Sequence, residues 1–535
     1  MPAGVLSGVE DLAPTGRASR TWNWRIFGMA WFSMIVQPSS LSNGASLLTL
    51  GLTATEATIA HLIGGMVLWV MLCAAAWPGV KYGIPFPVIC RSAFGVLGAH
   101  FCTLSRGAVA LMWLSFQMWQ ATLGLDEALG RIAGTPYLEW ARLDPYLTCG
   151  QLLLFVLFVL VHGTIVAFGV RRFVWLVYLT TPVQMCGFGV IIIWLTALCP
   201  FAEAINAASV NRTGSVSPAY ADLHSLGWLA AVNASVSTWS TLVLNVCDLS
   251  RFAPSQRDQI VGQGIGLPLT YAITGFVGLW AAGATQYIYG EAMWQVPQYF
   301  ATWPPLAAIL AGCVLALSIL AVNVLANLLS PMNDLLNLAP DRLSFRACGY
   351  ACLVIAVLMC PWWLFSDQHT YVLTFLGGYA SVTGAIAGVL LTDFWVLRQG
   401  TLDLGTLYRP SVCWEHYVGR ANVGTRCDRA DEIGLLECIA ADVNWRALLA
   451  VGLGLAPCMP GFSATLHEGA DAGPFFGGIY CASWFVSLGV ASAFYLLLST
   501  VLPRKDDVQR LLVAAPAPPS DPAEMPMSVA GVPRS

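Results

Sequence analysis

Two small groups of aromatic and amide side chains stand out in an otherwise apolar chain. Trp113 and Gln117 are spaced i, i+4, with Trp119 close behind, so indole and amide share one face of any helix that carries them. Asn323 and Asn327 repeat that spacing. An amide presents a donor and an acceptor side by side, which suits the N–H/C=O edge of a lactam or pyrimidine. A tryptophan face stacks on a planar ring. Taken singly, each amide reads as helix–helix glue and each indole as packing or an interfacial anchor. The combination points to a flat, uncharged, hydrogen-bonding solute.

Nothing comparable serves catalysis. The chain shows no mid-segment acid–base pair, no His/Asp cluster and no nucleophile with its base, which argues against a membrane-embedded enzyme. A channel would need a charged ring or a repeated filter sequence, and neither is present. The 16 cysteines are scattered through apolar stretches. The closest pair in a polar loop, Cys427 and Cys438, lacks histidine partners, so neither a metal nor a disulfide framework is expected.

The elements that must position the amides follow from composition. The 535 residues are 57% hydrophobic and 10% charged, with mean hydropathy +0.68; a globular domain carries about a quarter charged residues. In lipid every segment must satisfy its own backbone, which leaves helices or closed barrels. Apolar runs near the roughly 20 residues that a helix needs to span recur along the chain, and the ten-residue alternation of a barrel is missing. Twelve spans are expected, near 24–47, 55–77, 106–129, 147–168, 173–198, 226–247, 259–288, 304–329, 346–366, 370–397, 446–465 and 475–502. Around them lie an N-terminal tail to residue 23, a polar loop over 398–445 and a Pro/Ala/Ser-rich tail from 503, the tails being expected to be disordered.

Lys and Arg fall almost wholly in one of the two alternating sets of loops, Arg131, Arg142 and Arg212 being the exceptions. The positive-inside rule then places both termini in the cytoplasm. A net charge of −4 leaves no basic field for nucleic acid. The first twenty residues are polar and read as no signal peptide. Asn211-Arg212-Thr213 is a glycosylation tripeptide in an outside loop, meaningful only in a eukaryote.

Two spans carry interruptions. Span 1 contains Gln37-Pro38-Ser39-Ser40-Leu41-Ser42-Asn43-Gly44, and span 6 contains the hydroxyl-rich Asn233-Ala234-Ser235-Val236-Ser237-Thr238-Trp239-Ser240-Thr241. Proline breaks the hydrogen-bond ladder and polar neighbours re-satisfy it. Breaks in corresponding halves mark a midplane site between inverted repeats, here 24–198 (spans 1–5) and 226–397 (spans 6–10), with 446–502 supplying spans 11 and 12.

In order and at these spacings the motifs resemble the nucleobase–cation symporter-1 family, whose members include hydantoin, cytosine, uracil and allantoin permeases. They are Arg20-Thr21-Trp22, Tyr82-Gly83-Ile84-Pro85-Phe86-Pro87 with Arg91-Ser92-Ala93-Phe94-Gly95, Trp113-x-x-x-Gln117-x-Trp119, Asn245-Val246-Cys247-Asp248-Leu249-Ser250-Arg251, Asn323-x-x-x-Asn327-Leu328-Leu329-Ser330-Pro331-x-Asn333-Asp334, Asp393-Phe394-Trp395, Leu407-Tyr408-Arg409-Pro410 and Asn444-Trp445-Arg446. The resemblance implies an all-α, LeuT-type five-plus-five inverted repeat with broken helices 1 and 6, a four-helix bundle rocking against a scaffold, and alternating-access import across the plasma membrane by a monomer. It implies that Trp113 and Trp239 stack on the two faces of the ring, that Gln117 and Asn327 bond its edge, and that Gln37 and Asn323 support them. A vitamin-type ring such as thiamine, pyridoxine or a nicotinamide nucleoside is the alternative cargo, with Ser237, Thr238 or Phe116 tuning the choice.

One departure concerns the coupling ion. Sodium-coupled relatives hold the cation with carbonyls at positions matching Ser33, Val36 and Ser318 and hydroxyls at positions matching Ala321 and Val322. The last two have no oxygen side chain here, and an under-coordinated cation is poorly compensated for its lost water. A proton is therefore the expected coupling ion, and no other cofactor is expected. His61, His162, Asp126, Glu127, Asp248 and Asp334 are the ionisable groups in or at the ends of spans. Either histidine could carry the proton, while Asp248 and Asp334 are expected to tie helix ends to Arg251 or to backbone.

Overall fold

A computed structural model describes residues 11–134, 141–169, 173–210, 224–340, 342–364, 368–408, 442–467 and 472–502. The sequon at Asn211, Cys427, Cys438, most of the polar loop and the C-terminal tail lie outside the described residues.

The helices follow the hydropathy pattern. Span 1 is split into Trp24–Ile35 and Pro38–Ser46. Spans 2 to 5 are Ala54–Tyr82, Ala99–Ala133, Cys149–Phe168 and Phe173–Leu198. Span 6 is His224–Asn245, and span 7 joins Gln256–Gly266 to Pro268–Tyr289. Span 8 starts at Pro305, widens into a π turn at Asn323–Leu328 and ends at Leu336. Spans 9 and 10 are Phe345–Leu358 and Gln368–Leu391, the latter extended by a second π turn, Thr392–Leu397. Trp445–Leu455 with Met459–Leu466 makes span 11, and Ser483–Val501 makes span 12.

Among the described residues nine helical stretches are long and apolar enough to cross a bilayer. The three that fall short are spans 1, 3 and 6. They are also the spans that carry Gln37, Gln117 and the hydroxyl run of 235–241. Polar groups in mid-membrane are costly unless they have work to do; spans 3 and 6 are diluted by theirs, while span 1 falls short because Pro38 divides it into pieces of 12 and 9 residues.

The packing pattern shows the repeat. Spans 1 and 7 pack together as spans 6 and 2 do, spans 1 and 5 as spans 6 and 10, and spans 3 and 4 as spans 8 and 9. Exchanging each of spans 1–5 with the span five higher in 6–10 maps one set onto the other, as an inverted repeat requires. Spans 1, 2, 6 and 7 thus form one group of four and spans 3, 4, 8 and 9 another. Spans 11 and 12 pack on span 10.

The break in span 1 is real and follows from Pro38. Gln37 is extended at φ −153°, ψ 163°, and its side chain accepts from Ser39 N to cap the second half. The expected break in span 6 is not there. Its hydroxyls turn inward on their own helix: Ser235 Oγ donates to Ala231 O, Ser237 Oγ to Asn233 O and Thr238 Oγ1 to Ala234 O, at 2.8, 2.6 and 3.1 Å. Such back-bonding leaves a helix continuous, and the chain turns only beyond Asn245.

Small residues let the second half of span 1 meet span 7. A Cβ on Gly44 would lie 2.1 Å from Gly275 O, and one on Gly278 would lie 2.0 Å from Leu41 O. Backbone cannot yield as a side chain can, so Gly44→Val is expected to cost about 2–3 kcal/mol. The check is the thermal midpoint of the purified protein, which should fall well below that of a Gly489→Val control, where a Cβ meets nothing within 4 Å.

At the arginine-rich end the motif residues act as ties. Asp393 pairs with Arg398 at 2.7 Å and accepts from Ser92 and Tyr495 hydroxyls. Arg91 donates to Leu407 O and Asn337 Oδ1. Asp248 Oδ1 takes Phe86 N, the backbone tie expected of it, and Asn333 Nδ2, while Arg251 donates to Asp11 O instead. Asp334 differs from expectation: it is buried and neither carboxylate oxygen has a hydrogen-bond partner.

Candidate functional site

Between the two groups of four lies a cavity of about 10 Å³ lined by Gln37, Trp113, Gln117, Thr238, Trp239, Thr241, Leu242, Val322, Ala326 and Asn327. That is room for one water-sized sphere, so the walls are closed on each other and must part to admit a ring. Five of the six residues singled out for the solute line this space. The sixth, Asn323, stands behind Asn327. Each lining residue comes from span 1, 3, 6 or 8.

Each indole is held by packing. Trp239 meets Trp31 edge to face at 6.2 Å, and Trp113 meets Phe116 at 5.7 Å in a cluster with Val109, Leu376 and Tyr379. Tyr379 of span 10 also donates its hydroxyl to Ser237 O at 2.8 Å, tying span 10 to span 6. Trp119 belongs elsewhere: it packs on Phe155 and Trp362. Phe116 is therefore a buttress of Trp113, and of the three tuning positions only Thr238 lines the cavity.

The amides form a directed chain. Asn327 Nδ2 donates to Gln117 Oε1 and to Asn323 Oδ1, each at 3.1 Å. The π turn of span 8 carries both asparagines, and such turns recur at functional sites. Buried Arg106 steadies the turn by donating to Ala326 O at 2.7 Å. Since Asn327 spends both hydrogens within the chain, its carbonyl oxygen is left for the cavity, as is the NH2 of Gln117. Those two groups offer one acceptor and one donor side by side. Thr238 is braced in turn by Asn43, which donates to Thr238 Oγ1 at 2.7 Å and to Tyr271 at 2.8 Å.

The positions assigned to a lost sodium site hold a surprise in Gln184 of span 5, which sequence reasoning missed. The break in span 1 takes Gln37 N to Ile35 O and Ser40 N to Gln37 O, which orphans Ser33 O and Val36 O. Gln184 Nε2 donates to both, at 3.0 and 3.4 Å. An amide NH2 thus stands on the two span 1 carbonyls. Ser33 Oγ also meets the Thr180 and Thr181 hydroxyls at 3.3 and 2.7 Å. Ser318, Ala321 and Val322 are buried on the facing span 8. An amide inside an apolar span was the available signal; its partners, being backbone, leave none. Beyond Gln37 and Gln184 a larger apolar cavity of about 480 Å³ opens between spans 1, 5 and 8.

Residues 14–422 match the family described as permease for cytosine/purines, uracil, thiamine, allantoin. The chain is 29% identical over 517 residues to the allantoin permease of Bacillus subtilis, covering 92% of this chain and 93% of that one. It is 28% identical over 503 residues to the purine-uracil permease NCS1 of Arabidopsis thaliana, covering 93% and 78%. Among solved structures it is similar to the inward-facing conformation of Mhp1, with TM-score 0.67, 18% identity and 95% and 98% coverage. The closed form of Mhp1, a nucleobase-cation-symport-1 family transporter with bromovinylhydantoin bound, gives TM-score 0.66 at 19% identity, with 94% and 98% coverage.

Proposed function

The chain belongs to the family of permeases for cytosine/purines, uracil, thiamine and allantoin, and from that premise we propose that it imports a neutral nucleobase-like lactam by proton-coupled alternating access. That it is a multi-pass membrane transporter of nucleobase-like solutes follows from the family itself. The finer reading is carried by one observation: two indoles and a donor–acceptor amide pair line a single cavity between two four-helix groups. Trp113 and Trp239 would close on the ring faces while the Gln117 and Asn327 amides, one as donor and the other as acceptor, bond its C=O and N–H. Gln37 and Asn323 would hold these groups in place. The uracil, cytosine, allantoin and purine class fits such an edge. A thiamine-like cation fits less well, because no carboxylate lines the cavity and a desolvated charge needs a partner.

Sodium has no part in this proposal. A cation at Ser33 O and Val36 O would have to displace the Gln184 amide and would still lack hydroxyls from Ala321 and Val322. The transporter is placed in the plasma membrane with both termini cytoplasmic, following the loop charges, and works as a monomer that leaves its solute chemically unchanged.

The test is radiolabelled uptake in a permease-deficient host. Replacing sodium by choline at fixed pH should leave the initial rate unchanged, a protonophore should collapse accumulation, and extracted label should be unaltered solute. A rate that falls with sodium removal would overturn the coupling assignment.

A further inference from the structure

The chain of amides continues past Asn323 to a histidine. Asn323 Nδ2 meets His162 Nε2 at 3.4 Å, and His162 Nδ1 meets Phe158 O at 2.9 Å. A carbonyl can only accept, so Nδ1 carries the hydrogen and Nε2 is the acceptor. His162 is fully buried in span 4. The relay therefore runs from Nε2 through Asn323 and Asn327 to Gln117, and every link has a fixed direction.

We propose that His162 is the proton-binding site of this transporter and that its protonation reverses the donor–acceptor order of the edge that Gln117 and Asn327 present to the solute. The inference rests on the proton-coupled reading above. A proton arriving from water at Nε2 turns that acceptor into a donor. Asn323 must then turn its oxygen to the ring and its NH2 toward Asn327. Asn327 answers with its oxygen, which now faces Gln117, so Gln117 must turn its NH2 inward. The cavity, which saw NH2 from Gln117 and oxygen from Asn327, now sees oxygen from Gln117 and NH2 from Asn327. No covalent bond changes beyond the gained N–H.

A ring held in one orientation between unlike indole environments matches only one of the two edges. Solute and proton are then linked, each raising the affinity of the other. For symport the proton-loaded edge is the one that binds.

The surroundings allow a single switch. Charged and titratable groups on the elements around span 4 are His100, Cys102, Arg106, Asp126, Glu127 and Arg131 on span 3, Cys313 and Asp334 on span 8, and Arg346, Cys348, Tyr350 and Cys352 on span 9. None of them hydrogen-bonds the imidazole. Arg106 donates through Nη2 to Ala326 O, and its Nε and Nη1 have no hydrogen-bond partner. Asp126 accepts from Gln151 at 2.9 Å, eleven residues or about 16 Å along span 4 from His162. Tyr350 lies against Gly163 on that span.

The experiment measures KM for labelled uracil and allantoin from about pH 5.5 to 7.5 in wild type, His162→Gln and Asn323→Leu, with membrane abundance measured for each. Glutamine keeps an acceptor for Asn323 but cannot titrate; leucine cuts the relay while leaving the imidazole. In wild type KM should fall by up to about tenfold per pH unit on acidification across the titrating range. Both variants should transport with a high KM that moves less than about twofold over the same range. If one variant fails to reach the membrane, the other gives the same reading. A variant that keeps the wild-type pH profile overturns the role of His162. A wild type whose KM and accumulation ignore pH overturns proton coupling itself, a different outcome.

Discussion

Trp113→Ala and Trp239→Ala are each expected to raise KM for a planar lactam by about 5- to 150-fold, against little change in membrane abundance. Stacking of a base on an aromatic side chain is worth about 1–3 kcal/mol by alanine substitution, and about 1.4 kcal/mol is tenfold in affinity. Phenylalanine at either position should restore most of the loss, because a smaller ring still offers a face. The measurement is concentration-dependent initial uptake in whole cells. Trp119→Ala is the informative control: that indole packs on Phe155 and Trp362 rather than on the cavity, so it should change abundance and leave KM close to wild type.

The second large effect belongs to the amide pair. Asn327→Leu removes one of the two amides that bond the ring edge and also strips Gln117 Oε1 and Asn323 Oδ1 of their donor. Each buried polar group left unpaired costs about 1–3 kcal/mol. With one polar group of the solute edge and Gln117 both stranded, KM should rise by about 30-fold to 10⁴-fold. N-methylation of the ring at the recognised edge should weaken competition against wild-type uptake in the same way, since it deletes the matching hydrogen. If the methylated ring competes as well as the parent, the edge is not read by these amides.

How much of this could be read without coordinates depends on where each signal is written. The spans were legible because apolar runs must be long enough to cross a bilayer, and Pro38 announced the break in span 1. The hydroxyl run of span 6 misled, because Ser235, Ser237 and Thr238 satisfy themselves on carbonyls four residues back. Sequence spacing alone does not separate back-bonding from unwinding. Trp113, Gln117 and Asn327 were legible as an indole and amides at helical spacing, and Trp239 only through the family resemblance. Gln184 was not legible, since its partners are backbone carbonyls freed 148 and 151 residues away. Nor was the link from His162 to Asn323, separated by 161 residues. Both depend on which face of one span meets which face of another, and that is decided by packing such as the Gly44–Gly275 contact.

The most direct measurement is an experimental structure of the protein with labelled-assay substrate bound. The ring should lie between Trp113 and Trp239 at about 3.5–4 Å from each indole plane, the contact distance of stacked carbons, with its N–H/C=O edge on Gln117 and Asn327. A ring bound instead in the apolar cavity between spans 1, 5 and 8, or indoles turned away from each other across the bundle, would contradict the clamp.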